Sequence, residues 1–330
     1  MNAGESAGTG HTTPHGDADW RLFRGDGTPR SVAFPPAPPW RRPPDEPAGT
    51  WTGSPRPYLI DPDDADIVNA ALHLRRPLLV TGHPGTGKSS LAYAIAHELD
   101  LGRVLHWPVN SRSTLQEALY HYDAIGRLRE AHLRRDTDGS EPGIGQYVRL
   151  GPLGNALLPR QRPRVLLIDE LDKGDVDLPN DLLTVFEEGV FEIPELSRLP
   201  EEHSTVHVGT DGPDAPAPVV RGHVRCHEFP VVIITSNGER EFPPAFLRRC
   251  VRLELPEPGE ERLRDIVAAH LGHEALVGID DLLDEFLGRR APGELATDQL
   301  LNAVFLRKGG IDLDAGPLLD AVLHQLGGAV

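Results

Sequence analysis

Short apolar runs alternate with amphipathic segments through most of the chain, and this alternation predicts the order of strands and helices. Five runs have the leucine- and β-branched-rich content of buried strands, at residues 78–80, 104–109, 165–168, 231–234 and 251–255. Helical spacing predicts helices from residue 61, over 90–99, over 114–135 and over 178–188. Short apolar strands separated by helices indicate an α/β fold, with a mostly parallel sheet covered by helices on both faces.

The pattern changes at Pro256, where the sequence Pro256-Glu257-Pro258-Gly259 interrupts the alternation. Residues 260–326 then predict four helices and no strand. We therefore expect a core domain over 57–256 and a small all-helical domain over 257–330. Residues 190–231 alternate only weakly and contain a predicted loop at 209–218, and residues 136–145 are rich in turn formers.

Residues 1–56 are rich in Gly, Pro, Ser and Thr, which is typical of a disordered or extended arm, because such a segment buries too little apolar area to offset its ordering entropy. Two interpretations stay open. The arm is a plain linker, or its scattered aromatic residues dock on a neighbouring surface. Those aromatic residues are Trp20, Phe23, Phe34, Trp40 and Trp51.

Composition excludes several classes of protein. A net charge of -17 argues against general affinity for nucleic acid, which requires a basic face. The two cysteines, Cys226 and Cys250, have no metal-ligand spacing and predict neither a disulfide framework nor a zinc site. No apolar run has the length of a membrane helix and no signal peptide is visible, so the sequence predicts a cytoplasmic protein.

The segment after the first predicted strand matches G-x-x-x-x-G-K-[ST] and opens a helix, which is the context of a phosphate-binding P-loop. Glycines let the backbone curl around an anion, Lys88 would neutralise β- and γ-phosphate oxygens, and Ser89 would bind Mg²⁺. Only three lysines occur in the chain, so a lysine inside this motif is a specific signal. The predicted ATP-binding residues are Gly82, His83, Pro84, Gly85, Thr86, Gly87, Lys88, Ser89 and Ser90.

A pair of acidic residues after the third predicted strand supports the interpretation of the glycine-rich segment as a P-loop. The strand at 165–168 ends in Asp169 and Glu170. Asp169 would hold Mg²⁺ with Ser89, and Glu170 would orient or deprotonate the attacking water. Two acids at a strand end also occur in ordinary solvated loops, but their pairing with the glycine-rich loop favours a magnesium-dependent ATPase.

Two weaker elements follow. Asn237 comes after the fourth strand and is placed to reach a water or the γ-phosphate, although Ser-Asn-Gly alone is an ordinary turn. Arg248 and Arg249 precede the fifth strand, where one of them can act as an arginine finger, commonly supplied in trans. The alternative is a surface ion pair.

The order of these motifs, followed by the predicted C-terminal helices, resembles an AAA+ ATPase over residues 58–326. Within that class, the sequence most resembles the MoxR family, which belongs to the helix-2-insert clade. Residues 147–153 resemble the return from the helix-2 insert, 180–189 the helix after the Walker B strand, and 242–249 the finger segment. By position, Lys88 and Ser89 would be Walker A, Asp169 and Glu170 Walker B, Asn237 sensor 1 and Arg249 the finger.

The resemblance implies a hexameric ring that remodels a protein client with ATP bound between subunits, and a partner with a von Willebrand factor A domain. One position departs from the family. Its sensor 2 residue is basic, whereas this chain has Glu294 in that place. Either Arg289, Arg290 or Arg307 substitutes, or the lid senses nucleotide weakly. The insertion between residues 192 and 229 is longer than a minimal hairpin, and its role is left open.

Three further hypotheses compete with a remodelling ATPase. The first is a switch or scaffold, in a defence or signalling system, that binds ATP and turns it over poorly. The second is a DNA motor, for which Arg221, His223 and Arg225 would form a basic hairpin, against the overall acidic charge. The third is a small-molecule kinase, which would leave Asn237 and the helical lid without a role.

Overall fold

The computed structural model describes residues 20–26, 29–32, 34–41, 58–135, 143–212, 214–289, 295–313 and 317–324. Its strands are β1 (Leu78–Thr81), β2 (Leu105–Pro108), β3 (Tyr120–Tyr122), β4 (Val148–Leu150), β5 (Val165–Asp169), β6 (Val190–Glu192), β7 (Thr205–Val208), β8 (Ala217–Val220), β9 (His223–Arg225), β10 (Val231–Ser236) and β11 (Val251–Glu254). Its helices are α1 (Pro62–Leu74), α2 (Lys88–Glu98), α3 (Leu115–Leu119), α4 (Ala124–Arg135), α5 (Pro152–Ala156), α6 (Leu178–Glu188), α7 (Pro194–Ser197), α8 (Pro244–Leu247), α9 (Glu260–Leu271), α10 (Asp280–Arg289), α11 (Thr297–Lys308) and α12 (Pro317–Val322).

The central sheet has five parallel strands in the order β11-β1-β10-β5-β2. These are the five apolar runs predicted from the sequence. Neighbouring residues of one strand pack into different cores, because successive side chains point to opposite faces. Leu166 and Ile168 lie in one hydrophobic cluster, whereas Val165 and Leu167 lie in the other. The prediction of a parallel sheet covered on both faces is therefore confirmed.

The prediction of one helix over residues 114–135 is wrong for residues 120–122, which form a strand. A capping box between Thr114 and Glu117 starts α3, but the chain then turns into β3, which pairs antiparallel with β4. Tyr120 is buried there, and its hydroxyl donates to Glu195 at 3.0 Å. The helical composition of the segment is overridden by strand pairing and by this burial, and the helix resumes as α4.

The insertion after α6 folds into a four-stranded antiparallel sheet in the order β6-β9-β8-β7. Strands β8 and β9 are joined by Arg221 and Gly222, whose φ angles are 53° and 72°. Two consecutive residues with positive φ make a tight turn whose twist matches that of a hairpin. The predicted loop at 209–218 is shorter than expected, since β8 begins at Ala217.

Helices α9 to α12 enclose a third hydrophobic cluster, so the helical character predicted after Pro256 is confirmed. Among the described residues of the arm, Trp40 packs against this cluster. The indole of Trp40 packs edge-on against Phe305 with ring centroids 5.9 Å apart, and its Nε1 donates to Asn302 at 3.2 Å. Docking of the arm is therefore the correct interpretation for Trp40. The side chains of Trp20, Phe23 and Phe34 are exposed, and Trp51 lies outside the described residues.

In the part of the chain that the structure describes, no helix combines the length and the apolar character needed to cross a membrane.

Candidate functional site

The glycine-rich loop connects the end of β1 to the start of α2. Gly82, Gly85 and Gly87 have φ angles of 145°, 78° and 88°, a region that residues with a Cβ rarely adopt. Gly87 is the residue immediately before α2, so the loop curls in front of the helix N-terminus. Backbone N–H groups and the helix dipole at this position favour an anion. The glycines of the motif are thus required by the shape of the loop.

Lys88 lies in the first turn of α2 and is folded against the loop. Its Nζ donates to the carbonyl oxygens of Gly82 and His83, each at 2.8 Å, and the residue is buried. Burial lowers the pKa of Lys88, while the negative charges of Asp172, Asp169 and Glu170 oppose that shift. The ammonium group is therefore held at the loop by carbonyl oxygens that a stronger anionic ligand can replace.

Ser89 and Asp169 come together from elements 80 residues apart in the chain. The Ser89 hydroxyl donates to Oδ1 of Asp169 at 2.6 Å, Thr235 donates to the same oxygen at 2.7 Å, and Nε2 of His106 lies 3.1 Å from Oδ2. Burial alone would raise the pKa of Asp169, but the hydrogen bonds from His106, Ser89 and Thr235 outweigh it and lower this pKa to about 2. Asp169 is accordingly ionised at neutral pH.

Glu170 follows Asp169 in the left-handed backbone region, with φ 59° and ψ 50°. This conformation costs a residue other than glycine about 1–2 kcal/mol. Its N–H donates to Oγ1 of Thr235 at 2.8 Å, and its carboxylate accepts from Nζ of Lys173 at 2.8 Å. Thr235 thus fixes both acids, whereas Lys173 holds the side chain of the second.

Asp172 positions the loop that carries Asn237. It is buried, and its Oδ2 accepts from the backbone N–H groups of Asn237 at 3.0 Å and Glu239 at 3.1 Å. Among the described residues, its other oxygen has no hydrogen-bond partner. The residue Asn237 lines the same cleft as the glycine-rich loop.

Sequence reasoning missed Thr235 and Asp172 as site residues. A signal for Thr235 exists, because it is a polar residue inside a fully buried strand next to the strand of Asp169. Nothing comparable in the sequence distinguishes Asp172 from a solvated acid after Glu170.

The loop and the acids line one cleft of about 990 Å³ between the sheet and the C-terminal helices. The N-terminus of α11 closes directly on the loop. A Cβ built on Gly85 would lie 2.6 Å from Cβ of Ala296 and 2.8 Å from the backbone nitrogen of Thr297. The start of α11 therefore contacts the glycine-rich loop at Gly85.

The structure does not bring the predicted finger residues to the cleft of their own chain. Arg249 forms an ion pair with Glu187 of α6 and donates to the carbonyl oxygen of Ala245 at 3.1 Å. Arg248 is exposed and donates to the carbonyl oxygen of Pro244 at 3.3 Å. Within one chain, both arginines belong to the surface around α8.

Of the basic residues suggested as replacements for sensor 2, two lie elsewhere. Arg289 pairs with Glu285 and Asp320, and Arg307 forms a two-pronged ion pair with Asp281. Neither lines the cleft, so the expectation that one of these two substitutes is wrong for this structure. Arg290 and Glu294 lie outside the described residues.

An arginine of the C-terminal helices that was not predicted as a site residue also lines the cleft. Arg262, in the first turn of α9, lines the cleft, and its charge acts on Tyr58 and Asp64. Its only sequence signal is its place shortly after the glycine that precedes α9.

Residues 76–209 match the family described as AAA domain (Cdc48 subfamily), a span that contains the glycine-rich loop, Asp169 at the end of β5 and Glu170 after it. Chaperone protein ClpB of Chlamydia pneumoniae is 35% identical over 120 residues, which is 35% of this chain and 12% of that protein. ClpB of Chlamydia muridarum is 32% identical over 142 residues, or 41% of this chain and 14% of that protein. The chain thus spans 12% to 14% of the length of these curated relatives. These matches support an AAA+ ATPase in the general sense and select no subfamily.

Among solved structures, the chain is similar to NtrX from Brucella abortus in complex with ATP, with 16% identity and a TM-score of 0.42, over 82% of this chain and 57% of that one. The NtrX complex with ADP gives 15% identity and the same TM-score of 0.42, over 81% and 54%. Scores of this size carry no argument about the site.

Proposed function

We propose that this protein is a magnesium-dependent ATPase whose active site is the cleft around Lys88, Ser89 and Asp169. The observation that carries the proposal is the convergence of three features in one place. A loop with three positive-φ glycines stands before a helix, a buried lysine is folded against that loop, and an ionised carboxylate contacts the serine next to the lysine.

The residues fit the chemistry of a Mg²⁺–nucleotide complex. Ser89 and Asp169 supply hard oxygen donors of the kind Mg²⁺ prefers, with Asp169 ionised. Bound between these residues and the phosphates, Mg²⁺ would neutralise the charge that develops during phosphoryl transfer. Among the described residues no group of three or more His, Cys, Asp or Glu is placed to hold a metal by itself. The proposed cation site therefore depends on the nucleotide.

Side chains and backbone groups of this chain would then have separate roles in the reaction. Lys88 exchanges its carbonyl partners for phosphate oxygens, and the loop N–H groups bind the same anion. Glu170 orients and deprotonates the attacking water once its carboxylate leaves Lys173. Asn237 approaches the same region from the end of β10.

The remaining features of the proposal come from the resemblance to MoxR proteins. Residues 57–256 act as the core domain and 257–330 as the lid, subunits form a hexameric ring, and Arg249 completes the site of the neighbouring subunit, with Arg248 as the alternative. The ring remodels a protein client in the cytoplasm, with a von Willebrand factor A domain protein as partner. The exposed position of Arg248 and Arg249 outside their own cleft supports a role in trans.

ATP turnover at rising protein concentration tests this proposal. Turnover per chain should increase as rings form, disappear in Lys88→Ala, and fall at least about a hundredfold in Glu170→Gln while ATP binding is retained. A Lys88→Ala chain that hydrolyses ATP at the unmodified rate contradicts the assignment. A pull-down with Glu170→Gln, followed by mass spectrometry, then identifies the client that an ATP-bound ring retains.

A second candidate is an ATP-binding switch with weak turnover. Two observations favour it. Lys173 holds the carboxylate of Glu170, and Arg289 and Arg307 are committed to ion pairs within the lid. Tight ATP binding with negligible hydrolysis by the assembled ring, with Glu170 intact, selects this candidate over the remodelling ATPase.

A further inference from the structure

The cleft that we assign to the nucleotide is acidic, both at the proposed Mg²⁺ site and beyond it. Eight carboxylates line it, whereas the Lys and Arg side chains that line it, among the described residues, are Arg41, Lys88 and Arg262. The carboxylates are Asp61, Asp64, Asp169, Glu170, Glu257, Glu261, Asp265 and Asp298. These carboxylates would repel a nucleotide, which carries several negative charges, so each cation that lines the cleft would contribute to nucleotide affinity.

One of these cations comes from the arm. Arg41 closes the short helical turn Pro39–Arg41, in which its N–H donates to the carbonyl oxygen of Pro38 at 2.8 Å. Its neighbour Trp40 fixes this turn to the lid through Asn302 and Phe305 of α11. Trp40 thereby holds Arg41 at the cleft, more than 250 residues away in sequence from the helix that anchors it.

The other two cations differ in their contacts. Lys88 is already bonded to the carbonyl oxygens of the loop, whereas Arg262 is partly buried and, like Arg41, forms no ion pair with a described carboxylate. Within the described residues, Arg41 forms no ion pair with a carboxylate, and its side chain is exposed at the cleft. Of the two arginines that line the cleft, Arg41 is therefore the more exposed to a new anionic ligand.

We propose that the arm segment Pro39–Arg41 is part of the nucleotide site, with Arg41 contacting the phosphates of the bound nucleotide and Trp40 tethering it to the lid. The arm then supplies in cis the positive charge that Arg289 and Arg307 do not bring to the cleft. Because Trp40 holds α11, and α11 contacts the loop at Gly85, nucleotide binding and docking of the arm stabilise each other. This proposal rests on the nucleotide-binding function proposed above.

Binding titrations on the full chain test the charge of Arg41. With Mg²⁺ present, Arg41→Ala should weaken ATP binding about three- to tenfold, weaken it less at high salt, and leave adenosine binding unchanged. Arg21→Ala, on the same arm but outside the cleft, is the matched control and should bind ATP like the unmodified chain. Equal losses for ATP and adenosine, no loss, or tighter binding in Arg41→Ala would each overturn the proposal.

The tether is tested separately, because Trp40 also packs in the lid. Trp40→Ala should weaken ATP binding by a similar factor, whereas Trp20→Ala should not. In a chain that keeps Trp40 as its only tryptophan, ATP should change the fluorescence, and Lys88→Ala should abolish that change. If Trp40→Ala lowers thermal stability but leaves ATP affinity intact, Trp40 is only a packing residue and the proposal fails. If the unmodified chain binds no nucleotide, the proposed function itself fails.

Discussion

The hydroxyl of Thr235 joins the two acids of the site, and its replacement by valine gives a sharp test of the geometry. Thr235 is fully buried, donates to Asp169 at 2.7 Å and accepts from the N–H of Glu170 at 2.8 Å. Valine has nearly the same shape but removes both hydrogen bonds. The Asp169 carboxylate then loses a donor, and the Glu170 N–H loses the acceptor that fixes its left-handed backbone.

The expected cost follows from these two contacts. A hydrogen bond to a charged group is worth about 1.5–3 kcal/mol, and an N–H left without its acceptor costs about 1–3 kcal/mol. The two terms share one side chain and do not add fully, so we expect Thr235→Val to lower the free energy of unfolding by about 2–4 kcal/mol. Turnover should fall about tenfold or more, because both acids lose a positioning contact.

Urea unfolding and steady-state ATP hydrolysis measure these effects, with Thr235→Ser as the matched control. Serine keeps both hydrogen bonds and loses one buried methyl group, at a cost of about 1 kcal/mol. The valine chain should therefore be less stable than the serine chain, although valine is the more apolar residue. A valine chain that equals or exceeds the serine chain in stability and in turnover would refute the bridging role of Thr235.

Three further perturbations follow from the site. Lys173→Met should raise ATP turnover by up to about fivefold, because it releases the Glu170 carboxylate from a half-exposed ion pair. Lys308→Met removes a similar ion pair in the C-terminal helices and should leave turnover unchanged. A lower turnover in Lys173→Met would contradict this prediction. Because the pKa of Asp169 is depressed in the folded state, its ionisation should raise the free energy of unfolding at neutral pH by about 2 kcal/mol relative to Asp169→Asn. Unfolding experiments in acid should show that about half of this difference is lost by pH 3. A difference in the free energy of unfolding that grows in acid would contradict the prediction. Gly85→Ala adds a methyl group against the lid and should weaken ATP binding at least about tenfold in a titration, whereas Gly102→Ala, at a similar φ but in open space, should bind ATP normally.

The five central strands could be predicted because burial on both faces leaves a continuous apolar run in the sequence. Residues 165–168 and 231–234 show this most clearly, since every side chain of both runs is buried. The glycine-rich loop was equally visible, as its spacing is dictated by backbone geometry. Local sequence carries both signals, so no knowledge of the tertiary contacts was needed.

The strand β3 could not be predicted, because it is defined by pairing with residues 26 to 30 positions further along the chain. Tyr120 pairs with Leu150, and its hydroxyl finds Glu195 in a third segment. Short strands of this kind have no periodicity of their own and depend on tertiary pairing. The helical composition on both sides of β3 therefore led to the prediction of one continuous helix, whereas the tertiary contacts of this segment stabilise a strand.

The role of Thr235 could not be predicted, and docking of Trp40 could not be distinguished from a plain linker, for a related reason. A tryptophan in a Pro-rich arm is compatible with a linker until its partner on α11 is seen. A threonine within a buried strand is compatible with ordinary packing until the acids on the neighbouring strand are seen. Motifs identify the residues that perform chemistry, whereas the residues that hold them in place are recognised only from contacts.

The strand order of the central sheet has a consequence for biosynthesis. β10 lies between β1 and β5, so the strand that leads into the glycine-rich loop never pairs with the strand that carries Asp169. Both must wait until residues 231–236 have left the ribosome, after the antiparallel insertion sheet has been translated. A nascent chain that stops before β10 therefore contains the glycine-rich loop, Asp169 and Glu170, but lacks the strand that lies between β1 and β5. Under the proposed function, ATP would stabilise this protein only after β10 has been made.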